Sequence, residues 1–164
     1  MLRTVCLCLA LFLASSGRSA AQTDPLIENM VAAVSQTRLT SYVQSLQDFQ
    51  TRHTYTQGNT DAGNWLVSYF TGLGLEVERH SFTYPGHTEE NIIGRIPGTT
   101  SPNEIVIISG HFDSTSENPY VSAPGADDNA SAIAGLLEAA FVLRNYHFDR
   151  PIEFVCLNAE EQGR

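Results

Sequence analysis

The amino-acid sequence predicts an α/β fold, and three consecutive segments in its second half carry that prediction. Residues 105–108 form a continuous apolar run, which is typical of a strand buried on both faces of a sheet. Residues 129–146 place apolar side chains at helical spacing, and residues 152–157 are a second apolar strand. The order strand, helix, strand indicates a βαβ unit whose two strands run parallel.

The first half of the chain predicts three helices followed by two strands. Asp24 and Pro25 are a typical helix start, and they open an amphipathic segment that runs to about residue 34. A second helix is expected from about residue 40. A third, with an aromatic face, ends at Gly72 and Gly74. The alternating residues 75–79 and the segment 91–96 then predict two strands.

The composition excludes some classes of partner. The chain carries a formal charge of −9, from 18 acidic and 9 basic residues, and it contains no basic run. Nucleic acid and anionic membrane surfaces are therefore not expected as partners. With 164 residues, of which 42% are hydrophobic, the chain is long enough to bury the core of one domain.

The first 21 residues have the pattern of a secretory signal peptide. Arg3 supplies a positive start, residues 5–14 are apolar, and Ser19 and Ala21 fit the small residues that precede a cleavage site. The apolar stretch is much shorter than the roughly 20 residues that span a bilayer. We therefore expect a secreted or periplasmic mature chain of residues 22–164. Its one cysteine, Cys156, lies in an apolar run typical of a buried thiol.

Polar residues that could carry chemistry follow the buried strands. Ligands of α/β sheets bind beyond the carboxyl ends of the strands. Three segments occupy such places, with the sequences Gly-His-Phe-Asp-Ser at 110–114, Pro-Gly-Ala-Asp-Asp-Asn-Ala-Ser at 124–131 and Asn-Ala-Glu-Glu-Gln-Gly at 158–163. Together they hold one histidine and five carboxylates, which are the side chains of a candidate metal site.

Each segment taken alone has a structural and a functional interpretation. His111 is a potential zinc ligand whose second ring nitrogen Asp113 could hold, or it is a strand-end histidine satisfied by that aspartate. Asp127 and Asp128 could cap the following helix or bind a cation. Residues 160–161 could be a solvated acidic pair, or one glutamate could bind metal while its neighbour moves a proton.

The three segments together are more specific than any one of them. In their order and spacing they resemble the di-zinc exopeptidase family of bacterial leucyl aminopeptidases and their relatives. The resemblance extends over residues 39–163, and its motifs lie in residues 91–163. It implies a mixed, mostly parallel sheet flanked by helices on both faces, and hydrolysis of peptides that have a free amino terminus.

The resemblance also implies a role for each matching residue. His111 would bind one zinc ion, with Asp113 as the partner of its ring. Asp127 would bridge two zinc ions, and its peptide bond to Asp128 would be cis. Glu161 would bind the second zinc ion, and Glu160 would be the general base and acid. A complete domain of this family holds two Zn²⁺ ions.

Two further ligands of that family, an aspartate and a histidine, are not among the residues of this chain. We therefore expect residues 22–164 to be the amino-terminal, truncated portion of a zinc exopeptidase domain, inactive alone, with residues 152–157 as an open sheet edge. Two alternatives remain. One is a non-catalytic binding or structural member of the same fold, and the other is a single-zinc enzyme resembling glutaminyl cyclase.

Overall fold

The computed structural model describes residues 23–84 and 86–163, so the expected signal peptide lies outside the described residues. Four helices and four strands follow one another in chain order: α1 (Pro25–Ala32), α2 (Gln36–Gln47), α3 (Gln57–Gly72), β1 (Glu76–Tyr84), β2 (His87–Ile96), β3 (Val106–His111), α4 (Ala132–Leu143) and β4 (Ile152–Leu157). Two short irregular segments complete the chain path. We call residues 125–131 the aspartate loop and Glu160–Gln162 the glutamate turn.

The α/β class and every element expected from the sequence are confirmed. Side-chain caps fix the helix starts, because the Asp24, Ser35 and Thr56 side chains accept the Leu26, Arg38 and Asn59 amides. The cap at Ser35 explains why α2 begins at Gln36 and not near residue 40. Helix α4 begins at Ala132, later than expected, because the residues before it form the aspartate loop.

The strand order of the sheet is β1-β2-β4-β3. The β1–β2 and β2–β4 pairs are antiparallel, and only the β3–β4 pair is parallel within the described ranges. The sheet is therefore mixed, as expected, but it is not mostly parallel. The expected open edge at residues 152–157 is also wrong, because β4 lies between two partners. Among the described residues the two edge strands are β1 and β3, and β3 is the edge strand beside β4.

The core lies on one face of this sheet. The strand residues of the core alternate along the chain, as period-two side-chain geometry requires. Helices α3 and α4 pack on this face and α2 packs against α4. The buried strand residues of the core are Ile92, Ile96, Ile152, Phe154 and Cys156. The opposite face carries half-buried Ile93, Val155 and Leu157 and the Arg95–Glu153 ion pair. Helices on both faces were expected, but in the part of the chain that the structure describes they cover one face.

Helix α1 differs from the other three helices because none of its residues is buried. Leu26, Ile27 and Val31 are each about half exposed or more. Within the described ranges, no helix combines the length and apolar character that crossing a bilayer requires.

Candidate metal centre

The parallel pairing of β3 with β4 brings two of the predicted segments together. His111, the last residue of β3, is in register with Leu157, the last residue of β4. The glutamate turn begins three residues after β4 ends, and the aspartate loop leads into α4, which packs against β3. The three predicted segments therefore meet at the carboxyl ends of the parallel strands, where α/β sheets bind their ligands.

His111, Asp128 and Glu161 form a group that could hold a metal ion. One ligand atom from each lies within 4.8 Å of the others, and these residues are the one such group found among the described residues. His111 Nε2 lies 3.1 Å from Asp128 Oδ1 and 3.8 Å from Glu160 Oε2. An imidazole nitrogen with carboxylate oxygens is a donor set that zinc accepts. These side chains therefore fit the zinc ion that the sequence motifs imply.

The ring of His111 is oriented by the backbone of the residue two positions on. Its Nδ1 lies 3.2 Å from the Asp113 carbonyl oxygen and 3.5 Å from Asp113 Oδ1. An Nδ1–H that donates to this carbonyl leaves the lone pair on Nε2, the nitrogen that faces the carboxylate group. Asp113 was expected to hold the ring through its carboxylate, whereas the shorter contact is to its main chain.

The carboxylate of Asp113 instead anchors the glutamate turn. It is fully buried, and its two oxygens accept the amides of Glu160 and Glu161 at 3.2 and 3.1 Å. Burial raises the pKa of Asp113, and the two amide hydrogen bonds oppose that rise. Asp113 thus connects the end of β3 to both predicted glutamates and fixes their distance from His111.

A buried amide network holds the other side of the glutamate turn. The side chains of Asn59 and Asn158 exchange two hydrogen bonds, of 2.9 and 3.1 Å, and Asn158 also donates to Glu89 Oε2 at 3.0 Å. The Asn158 oxygen accepts the amide of Ala159, which has a left-handed backbone with φ of 63°. This reversal turns the chain from β4 into the glutamate turn. Sequence reasoning assigned no role to Asn158 or Asn59.

The position of the predicted bridging aspartate needs a correction. Asp127 was expected to face the metal, but the carboxylate beside His111 belongs to Asp128. The cis peptide bond, expected between these two residues, joins Asp128 to Asn129. The Asp127 carbonyl accepts the Ser131 hydroxyl at 2.7 Å, whereas Asp128 has non-helical φ and ψ of −108° and 99°. Of the two aspartates, Asp128 is the one that contributes a carboxylate oxygen to the group with His111.

The glutamate pair is divided between two environments. Glu161 is half-buried within the group, and burial, followed by the nearby negative charge of Asp128, raises its pKa. Glu160 lies outside the group and 53% of its side chain is exposed. That arrangement is compatible with the expected division into a ligand, Glu161, and a base, Glu160, and both roles remain predictions.

Two residues beside the site were not recognised from the sequence as part of it. Arg52 is fully buried behind the strand ends, and burial lowers its pKa to about 10, although Asp113 opposes that change. His53 was interpreted as an ordinary surface or core histidine. Its Nδ1 lies 3.3 Å from the Gln162 amide nitrogen, and its ring meets Tyr120 edge-on at 4.8 Å. The spacing of residue types along the sequence does not reveal the role of either residue, because their partners at the site are far away in the chain.

Comparison with known sequences agrees with the motifs. Residues 91–164 match the sequence profile described as peptidase family M28. A probable zinc metalloprotease of Pyrenophora tritici-repentis is 30% identical to this chain, over 85% of the chain and 38% of that protein. A probable aminopeptidase of Saccharomyces cerevisiae is 30% identical over 70% of the chain and 34% of that protein. The chain therefore spans well under half the length of these relatives.

Solved structures share the fold. LapB from Legionella pneumophila superposes with a TM-score of 0.73 at 23% identity, over 85% of this chain and 39% of its own. A leucine aminopeptidase precursor from Bacteroides thetaiotaomicron superposes with a TM-score of 0.65 at 24% identity, over 77% of this chain and 48% of its own. A glutaminyl cyclase from the same organism superposes with a TM-score of 0.66 at 24% identity, over 77% of this chain and 47% of its own.

The profile match begins at Asn91 in β2 and includes all three strand-end segments. The residues that approach one another at the sheet end therefore all lie within the range that the profile matches. The resemblance predicted from the motifs is therefore confirmed, and residues 91–164 of this chain carry the sequence pattern of peptidase family M28.

Proposed function

We propose that this chain supplies part of the active site of a zinc exopeptidase, most specifically of an aminopeptidase that acts on peptides with a free amino terminus. One observation carries the proposal: His111, Asp128 and Glu161 converge within 4.8 Å, with the Glu160 carboxylate at the rim of the group. The similarity to a probable zinc metalloprotease and a probable aminopeptidase supports the same reaction class.

His111, Asp128 and Glu161 would hold the metal. The proposal includes two zinc ions, which is the number that the resemblance of the motifs implies. Bound zinc supplies a Lewis acid that lowers the pKa of water to about 7 and polarises a peptide carbonyl. The contact of His111 Nδ1 with the Asp113 carbonyl at 3.2 Å selects the tautomer that keeps the proton on Nδ1 and leaves Nε2 available to the metal.

Glu160 would carry the proton in the reaction. Its carboxylate lies at the rim of the group and is more than half exposed, so it can reach both a water and a substrate. It would accept a proton from the attacking water and return that proton to the leaving amine. Asp113 contributes by holding the Glu160 amide, which keeps the base at the edge of the group.

The proposal is tested by separating base from ligand in the full-length protein. Glu160→Gln should retain zinc and lose roughly 10²–10⁴ in kcat on an aminoacyl p-nitroanilide, because only the proton carrier is removed. Glu161→Gln should lose zinc. Glu104→Gln is the matched control, since Glu104 pairs with Arg150 away from the site. A Glu160→Gln enzyme with unchanged kcat would contradict the proposal.

The two alternatives predict other results in the same experiment. A single-zinc cyclase resembling the glutaminyl cyclases of the same fold would convert a peptide with amino-terminal glutamine into its cyclised form and leave the p-nitroanilide intact. A non-catalytic member would turn over neither substrate, whatever its zinc content.

We further propose that the protein is exported, which sequencing the amino terminus of the mature protein from its host would test.

A further inference from the structure

The guanidinium of Arg52 is fully buried and connects three separate parts of the chain. Nε donates to the Phe112 carbonyl at 2.7 Å, and Nη1 donates to the carbonyls of Leu46 and Pro124 at 2.9 and 2.7 Å. Nη2 donates to the Gly125 carbonyl at 3.0 Å. The acceptors come from the end of α2, the end of β3 and the start of the aspartate loop.

Two of these carbonyls lie beside the proposed metal ligands. Phe112 is the residue between His111 and Asp113. The Gly125 carbonyl also accepts the Ala130 amide at 3.1 Å, and this second bond closes the loop that carries Asp128. Arg52 therefore touches both of the segments whose separation sets the distance from His111 to Asp128.

The aspartate loop is packed tightly against this side chain. Gly125 has a left-handed backbone with φ of 46°, and a Cβ built there would lie 3.1 Å from Arg52 Nη2 and 2.7 Å from the Ser114 Cβ. The backbone of Arg52 takes part too, since its amide donates to Ser114 Oγ at 3.1 Å. A planar fork of fixed geometry satisfies several carbonyls at once, whereas an ammonium group on a flexible stem does not.

We propose that Arg52 is a positioning residue for the metal centre: it holds the end of β3 and the aspartate loop at the separation that lets His111 and Asp128 bind one ion together. The inference rests on the proposed zinc site and extends it to a residue that does not touch the metal. Loss of such outer contacts typically lowers metal affinity by roughly 10–100-fold.

The test measures zinc affinity by competition with a chromophoric chelator, in the full-length protein and in its Arg52→Lys variant. Both are measured at a temperature where near-ultraviolet circular dichroism shows them to be folded. Arg52→Lys should bind zinc roughly 10–100-fold more weakly, and its cobalt-substituted form should show altered visible bands. Arg38→Lys is the control, because Arg38 also makes several side-chain hydrogen bonds, to Glu138 and the Ala33 carbonyl, and none to the segments of the site.

The control should lower the melting temperature while zinc affinity stays within about twofold of the unmutated protein. Three results would overturn the inference: a folded Arg52→Lys protein with unchanged zinc affinity, an equal loss of affinity in Arg38→Lys, or an Arg52→Lys protein that does not fold. Absence of zinc binding in the unmutated protein is a different result, because it would refute the proposed metal site itself.

Discussion

Gly94 of β2 offers a sharp test of the packing beneath the site. A Cβ added there would lie 2.7 Å from Cγ and Cδ1 of Phe70 and 3.0 Å from its Cδ2. Phe70 is fully buried and stacks on Phe154 of β4, with ring centroids 6.5 Å apart. The ring cannot withdraw without disturbing α3 or β4. Gly94→Ala should therefore destabilise the fold although it adds a single methyl group.

The expected loss is about 1–3 kcal/mol, which is the usual cost of overpacking a dense core. For a chain of this length that loss lowers Tm by roughly 3–10 °C. Thermal unfolding of the two proteins, followed by circular dichroism at 222 nm, provides the measurement. The double variant Gly94→Ala with Phe70→Leu should be more stable than the sum of the single changes predicts, because the smaller side chain makes room for the methyl group.

Gly135 of α4 provides a control for which the expected change in stability has the opposite sign. It is the exposed fourth residue of the helix, and a Cβ there would meet no atom within 4 Å. Gly135→Ala should stabilise the protein by about 0.5–1 kcal/mol, because alanine loses less backbone entropy in a helix. A Gly94→Ala protein that is as stable as the unmutated one would refute the packing of α3 against β2 and β4.

Three further predictions concern the sheet edge, the aspartates and the pH dependence of stability. Ile107→Lys, in the edge strand β3 where Ile107 is 60% exposed, should reduce self-association in sedimentation velocity runs. Val31→Lys, at a comparably exposed helix position, should not. Asp128→Asn should lose zinc in an equilibrium dialysis assay, and Asp127→Asn should retain it. Burial alone would raise the pKa of Glu138, but hydrogen bonds from its arginine partner and a backbone amide lower it. Its stabilising contribution is therefore present above the ordinary pKa and lost as pH falls through the lowered one. Denaturant unfolding should show that loss, and Glu138→Gln should remove it.

The features that the sequence revealed are the ones encoded locally. The apolar runs at 105–108 and 152–157 identify strands without knowledge of their neighbours, and the caps at Asp24 and Ser35 are short-range signals. The order of the strands in the sheet is not encoded locally. Pairing β2 with β4 joins residues about 60 positions apart, and no local pattern encodes that choice. The placement of β4 at an edge failed for this reason.

The site shows the same division. The three strand-end segments could be found because their residue types and spacing are unusual together. The choice between Asp127 and Asp128 depends on the φ and ψ of a loop, and adjacent identical residues give no sign of which one faces inward. Arg52 could not be assigned a role, because its partners are backbone carbonyls of Leu46, Phe112, Pro124 and Gly125, which no residue type marks.

The most direct test of the proposed metal centre is an anomalous difference map, collected at the zinc absorption edge from crystals of the full-length protein grown with zinc. The proposal predicts zinc peaks within this group, with His111 Nε2 and carboxylate oxygens of Asp128 and Glu161 each about 2.0–2.2 Å from a zinc ion, and with Glu160 uncoordinated beside them. A map without a peak in this group, or with a zinc ion bound by Asp127 in place of Asp128, would contradict it.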